Sequence, residues 1–459
     1  MFNLDESKIN EILKNTSAPN ERELEIILEK AEKKKGLELE ETAALLRIES
    51  ENKKQIDLLF RSAGKVKNEI YGNRIVLFAP LYISDQCVND CEYCGFHCRN
   101  KEMERKRLNK DEIRKETEQI IRMGHKRILL EAGEHPDTSI DYVCNAIRTI
   151  SQTKVSNGEI RRVNVNIAAT TTENYSKLKD AGIGTYQLFQ ETYHRETYEA
   201  LHKSGPKSDY KRQITAHERA FEAGIDDFGM GVLFGLYDYR FEVLSLLDHA
   251  KHMETKHGVG PHTISVPRFC PAPGVKYSAR FPVSSFDFLK LIAIIRLSVP
   301  YTGMIISTRE TAEIRAKAFE IGISQTSAAS KASPLGYSSK VPVSSSQFEI
   351  SDERSVQEVV SSLIKQDHIP SFCTACYRSK RTGDAFMQLA KSGNIHHLCR
   401  PNAILTFKEF VIDYGNEQIR KEAEQLIENE IEKIESEERK LETRNRLKRI
   451  ESGERDLFF

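Results

Sequence analysis

Apolar positions in the first seventy residues recur at helical spacing, as in Leu24, Ile27, Leu28 and Ala31 and then Leu45 and Leu46. Each stretch has one apolar stripe and reads as an amphipathic helix. From Arg74 the pattern changes. Short apolar runs predict strands at 75–82, 127–131, 161–167, 184–189, 227–233, 262–267, 303–307 and 322–326. Between them, helical periods fall at 110–122, 172–181, 209–223, 239–256 and 309–320. Eight strand–helix alternations predict an α/β fold, a complete parallel (β/α)8 TIM-type barrel with its chemistry on the loops at the strand C-termini.

A Ser-rich stretch at 327–346 closes the barrel region. Residues 347–415 return to globular composition, and 416–452 carry dense charge with apolar Ile419, Ala423, Leu426, Ile427, Ile431 and Ile434, predicting a surface helix with one buried stripe. The expected organisation is a helical extension at 1–70, the barrel at 71–345 and a mostly helical C-terminal domain at 346–459. Lys plus Arg equals Asp plus Glu at 68 each in 459 residues, so no basic field invites nucleic acid. No apolar run is long enough for a bilayer, and the first residues lack a secretory signal pattern, so a cytoplasmic setting is expected. There, clustered cysteines are more often ligands or catalytic thiols than disulfides.

Directly after the first predicted strand, SDQCVNDCEYCGF places Cys87, Cys91 and Cys94 in a CX3CX2C arrangement. Three thiolates this close can hold three corners of a 4Fe-4S cube and leave the fourth iron open. Zinc is the competing reading, although structural zinc wants four closed ligands. Cys98 is read as an uninvolved thiol, because a fourth thiolate closes the cube. A second trio, Cys373, Cys376 and Cys399, stands at CX2CX22C spacing. It too suits a cube with one exchangeable iron, while nearby His396 and His397 keep a Cys3His zinc site in play.

The first trio has the spacing of radical S-adenosylmethionine (SAM) enzymes. With CVNDCEYCGF, FQETYH, PHTISVPR, SFCTACYR, RTGDAFM and GERDLFF, the chain resembles the HydG family over nearly its whole length. These are radical SAM tyrosine lyases that mature the cofactor of di-iron (FeFe) hydrogenases. The resemblance implies two 4Fe-4S clusters, one binding SAM and one auxiliary with an extra labile iron bridged by a free cysteine. It further implies cleavage of L-tyrosine to p-cresol and dehydroglycine, then conversion of dehydroglycine to carbon monoxide and cyanide. It assigns SAM contacts to Glu134, Glu191 and Arg212, with Arg268 either orienting SAM or fixing its loop. His262 is implied as ligand of the extra iron, Arg309 as receptor of the substrate carboxylate, and Thr326 and Ser327 as helpers at the substrate. Implied partners are a low-potential donor such as ferredoxin or flavodoxin and other hydrogenase maturation proteins.

The pattern departs at 327–337, where Ala329 and Leu335 stand in place of expected glycines. Alternative readings are a thiamine-type 2-iminoacetate synthase, a divergent aromatic amino acid lyase, and a non-enzymatic iron-sulfur carrier or scaffold. A carrier has no use for a SAM pocket.

Overall fold

A computed structural model describes residues 1–339 and 346–459. Eight barrel strands follow in chain order: β1 (Arg74–Ser84), β2 (Arg127–Ala132), β3 (Arg162–Asn166), β4 (Tyr186–Gln187), β5 (Phe228–Gly231), β6 (Thr263–Ser265), β7 (Gly303–Ile306) and β8 (Gln325–Ser327). Each pairs in parallel with its neighbour, and β8 returns to β1 through Val76 opposite Gln325 and Phe78 opposite Ser327, so the sheet closes. Every predicted strand is present. A ninth, β9 (Ile369–Ser371), pairs in parallel with Arg74–Val76 at the start of β1. The chain therefore re-enters the sheet at its N-terminal end, opposite the usual catalytic face.

Along β1 the side chains alternate. Ile75, Leu77, Ala79, Leu81 and Ile83 pack outward into the helix layer, whereas Val76, Phe78, Pro80 and Tyr82 point into the barrel. The interior is layered in consequence. Arg127, Arg162 and Gln325 start their strands at the lower end, and Glu131, Asn166 and Ser327 end them at the upper one. Between these layers Phe78, Leu129 and Ile305 form an apolar cluster of their own.

Four N-terminal helices, Glu6–Asn15, Glu21–Glu32, Leu39–Leu46 and Lys53–Tyr71, match the predicted extension. They cover the helix Ser285–Ser298, with Lys290 donating to the carbonyl of Ile48 at 3.0 Å. That helix escapes an amphipathicity search because neighbours bury it on nearly every face. The predicted helix 209–223 is broken into Tyr210–Ile214 and Ala216–Glu222. The charged stretch 416–452 is also two helices, Glu417–Glu432 and Glu437–Glu451, rather than one. The chain turns at buried Ile434, and Arg444 reaches back to Glu428 at 2.9 Å and Glu432 at 2.8 Å. The expected domain boundary at 345 and part of the Ser-rich stretch lie outside the described residues.

Ala329 and Leu335, where glycine was expected, adopt φ values of 51° and 59°. The backbone thus keeps the left-handed turns, at a steric cost the side chains impose.

Candidate active site and auxiliary pocket

At the upper end of the barrel one cavity gathers Cys87, Cys91, Cys94, Glu134, Glu191, Arg309 and Ser327. All three cysteines are free thiols. Burial raises the pKa of each thiol, with neighbouring thiolates adding to it at Cys91 and Cys94, and that of Cys94 reaches about 11. Such a trio becomes anionic only when a cation shares the space, which is the donor chemistry an iron-sulfur cluster requires. Cys98 does not line the cavity; its amide donates to the carbonyl of Asn89.

The charged residues are pre-arranged around this trio. Glu134 accepts from Arg212 Nη2 at 2.7 Å and from Asn89 Nδ2 at 2.7 Å. Arg212 Nη1 is buried without a hydrogen-bond partner among the described residues, leaving a donor for a further anion. Glu191 sits at a φ of 69° and pairs with Lys207 Nζ at 2.6 Å. The pair places one carboxylate and one ammonium beside Cys91, and Lys207 is held protonated by Glu191 despite its burial. Arg309 lies 3.4 Å from the centroid of the Phe348 ring and makes no ion pair among the described residues. A planar fork oriented by an aromatic face suits a carboxylate.

Sequence reasoning missed several cavity residues. Lys207 comes from a Gly-Pro loop with no motif of its own, and Asn89 hides between two ligand cysteines. Glu131 ends the predicted strand 127–131 with no motif of its own. Its carboxyl faces the cavity beside Asn166 Nδ2 at 3.2 Å, and burial raises its pKa to about 8.

One expected residue is placed elsewhere, and another takes the second of its two expected roles. Arg268 is bound to Glu310, with Nε at 2.8 Å, and to the carbonyl of Val283 at 3.0 Å; it fixes the loop and does not line the cavity. Thr326 points out of the barrel, donating to the Ile306 carbonyl at 2.9 Å and accepting from Arg315 at 2.7 Å. Adjacent strand residues face opposite sides, so Thr326 and Ser327 cannot both line the cavity.

At the lower end, Cys373, Cys376 and Cys399 converge with His262. Burial raises the Cys376 thiol to about 12, with Cys399 and Cys373 adding to it. Arg74, Arg127 and Arg162 line the same pocket, and the Nε atoms of Arg74 and Arg127 have no hydrogen-bond partner among the described residues. A cationic wall around three thiols, Cys399 buried and Cys373 and Cys376 half-buried, fits a thiolate-ligated cluster that carries net negative charge. Arg378 and Arg381, flanking Cys376, are tied to the C-terminal tail through Asp456 and the Phe459 carbonyl. His396 and His397 face a separate cleft with Glu435, away from the thiols. Among the described residues, a Cys3His zinc site through His396 or His397 is therefore not assembled.

Residues 81–249 match the radical SAM superfamily, and residues 265–369 match the Biotin and Thiamin Synthesis associated domain, which ends before Cys373. The chain is 53% identical to the HydG of a crystal structure titled as a maturase of the [FeFe]-hydrogenase, with a TM-score of 0.95 and 99% of both chains covered. This chain belongs to the HydG family. The HydG of Carboxydothermus hydrogenoformans aligns at 39% identity and a TM-score of 0.84, over 96% of this chain and 97% of that one. The 2-iminoacetate synthase of Salmonella typhimurium is 31% identical over 316 residues, 68% of this chain and 81% of its own length. As a member of that family, the chain is a radical SAM protein whose second trio lies beyond both matched domains.

Proposed function

We propose that this chain cleaves the Cα–Cβ bond of L-tyrosine to p-cresol and dehydroglycine in the upper cavity and converts dehydroglycine to carbon monoxide and cyanide in the lower pocket. The products serve assembly of a di-iron hydrogenase cofactor. One observation carries the reading: two thiol trios line separate pockets at opposite ends of a single barrel. Cys87, Cys91 and Cys94 are assigned to the SAM-binding 4Fe-4S cluster; Cys373, Cys376, Cys399 and His262 are assigned to the auxiliary cluster and its labile iron, with free cysteine as bridge. When bound, the first cluster and SAM supply the 5′-deoxyadenosyl radical.

The protein's own residues bind and shield. Glu134 and Arg212 offer opposite charges to the amino and carboxylate groups of SAM, and Glu191 offers acceptors to its ribose. Arg309 receives the tyrosine carboxylate, with Ser327 beside it. Phe78, Leu129, Ile305 and Phe348 keep water from the reacting centre. We assign 1–70, 71–345 and 346–459 to extension, barrel and auxiliary domain. A low-potential ferredoxin or flavodoxin, other maturation proteins and a cytoplasmic setting complete the proposal; among the described residues no helix is long and apolar enough to cross a membrane.

A second reading, a tyrosine lyase that stops at 2-iminoacetate, is favoured by the match to 2-iminoacetate synthase. Anaerobic turnover of the reconstituted protein with SAM, reductant and tyrosine separates the two. Deoxyadenosine, p-cresol, cyanide and carbon monoxide together are expected. Cresol with glyoxylate and no carbon monoxide selects the second reading; deoxyadenosine without cresol rejects tyrosine as substrate.

A further inference from the structure

His262 reaches the lower pocket from the start of β6, and a single histidine on a strand end has ring freedom that a metal ligand cannot tolerate. Its ring is held from two sides. Nδ1 lies at ion-pair distance, 3.0 Å, from Oδ2 of Asp227, which is 2% exposed; Nδ1 has no aligned hydrogen-bond partner among the described residues, so the contact is electrostatic. One face stacks on Phe386 of the helix Gly383–Lys391, with centroids 3.9 Å apart and planes 11° from parallel. Asp227 is itself anchored. Arg162 Nη2 donates to the same Oδ2 at 3.0 Å, and Arg162 is fixed in turn by Thr185 Oγ1 at 2.6 Å and Asn164 Oδ1 at 2.8 Å.

We infer that Asp227 is a positioning residue for the metal ion assigned to the lower pocket, holding Nδ1 of His262 so that Nε2 is the ring nitrogen presented to Cys373, Cys376 and Cys399. The inference rests on the reading of His262 as a metal ligand under the proposed function. A carboxylate on the far nitrogen selects the ring tautomer, restricts its rotation and makes the ligating nitrogen more basic. Asp227 touches no substrate; it acts through the imidazole. The division of labour is built across domains, because β5 and β6 of the barrel supply the dyad while the C-terminal domain supplies the stacking ring and the thiols.

The test is anaerobic Fe(II) titration of the full chain carrying both reconstituted clusters, read as the dissociation constant of the extra ion and as its electron paramagnetic resonance spectrum. Asp227→Asn is expected to weaken the extra ion about 10- to 100-fold and to alter its spectrum, the range seen when such carboxylate partners are removed. That variant leaves Arg162 buried without its partner, so the double variant Asp227→Asn/Arg162→Gln, which removes both charges, is measured beside it and is expected to show the same loss. Arg162→Gln alone, which takes one cation from the pocket wall but leaves the Asp227–His262 contact, is the baseline for the double variant and is expected to bind the ion more tightly than the double variant does. Wild-type affinity in the double variant, with the ion lost in His262→Ala, overturns the inference. An ion retained in His262→Ala overturns both the inference and the placement of the metal beneath it. Wild-type protein that binds the ion through His262 yet releases no carbon monoxide sinks the proposed activity and leaves Asp227's role standing.

Discussion

Single side chains decide which pocket does what. Cys376→Ala removes one corner of the lower trio and touches nothing at the upper cavity, so p-cresol release is expected to persist while carbon monoxide falls to background. Undiminished gas from that variant contradicts the separation of the two steps. The turn after β8 gives a second residue-scale prediction. Ala329 holds a φ of 51° that glycine adopts freely, and its methyl group strains the backbone there. Ala329→Gly is expected to raise stability by about 0.5–1 kcal/mol, read from the midpoint of anaerobic chemical unfolding. The two cysteine trios were legible in their spacing, and Glu134, Glu191 and Arg309, which line the upper cavity, were reached through the family resemblance. Lys207 and Asp227 were not, since each gains its partner from a segment distant in sequence: Lys207 from Glu191, Asp227 from His262 and Arg162.

Among the elements, the helix Tyr239–His257 shows how a buried acid ties a layer together. Glu242, 1% exposed, accepts from the Tyr193 amide at 2.8 Å and from the Thr192 hydroxyl, fixing the segment that follows Glu191. Burial raises its pKa to about 8, above the ordinary carboxylate value of 4.5. The folded chain therefore keeps a proton that the unfolded chain has already released between those values, and stability from this group falls as pH rises from about 4.5 through 8. Unfolding midpoints measured between pH 5 and pH 8.5 are expected to decline, with Glu242→Gln flattening the profile by an amount on the order of a few kcal/mol. An identical slope in the variant assigns the decline to other groups. The strands were readable from short apolar runs, yet the break in 416–452 was not. Its charged positions continue at helical spacing through the turn, and only the folding-back of Arg444 onto Glu428 and Glu432 marks where the helix stops.

At the scale of the whole molecule, the layer of Phe78, Leu129 and Ile305 stands between the two thiol pockets. A product leaving the upper cavity for the lower pocket inside the barrel has to pass these side chains. Leu129→Phe adds volume in that layer and is expected to leave p-cresol release within about twofold while carbon monoxide drops roughly tenfold and glyoxylate in solution rises. Equal yields of both products place the transfer outside the barrel. The amino-acid sequence by itself determined the barrel and the two cysteine trios, because strand and helix periods and cysteine spacings are local properties of the chain. Tertiary structure alone decided that the trios occupy opposite ends of one barrel. That follows from β9, a strand of three residues pairing with Arg74–Val76 across nearly three hundred positions of sequence, and strand pairing at such separation is set by closure of the sheet and burial of its surfaces, which no local pattern records.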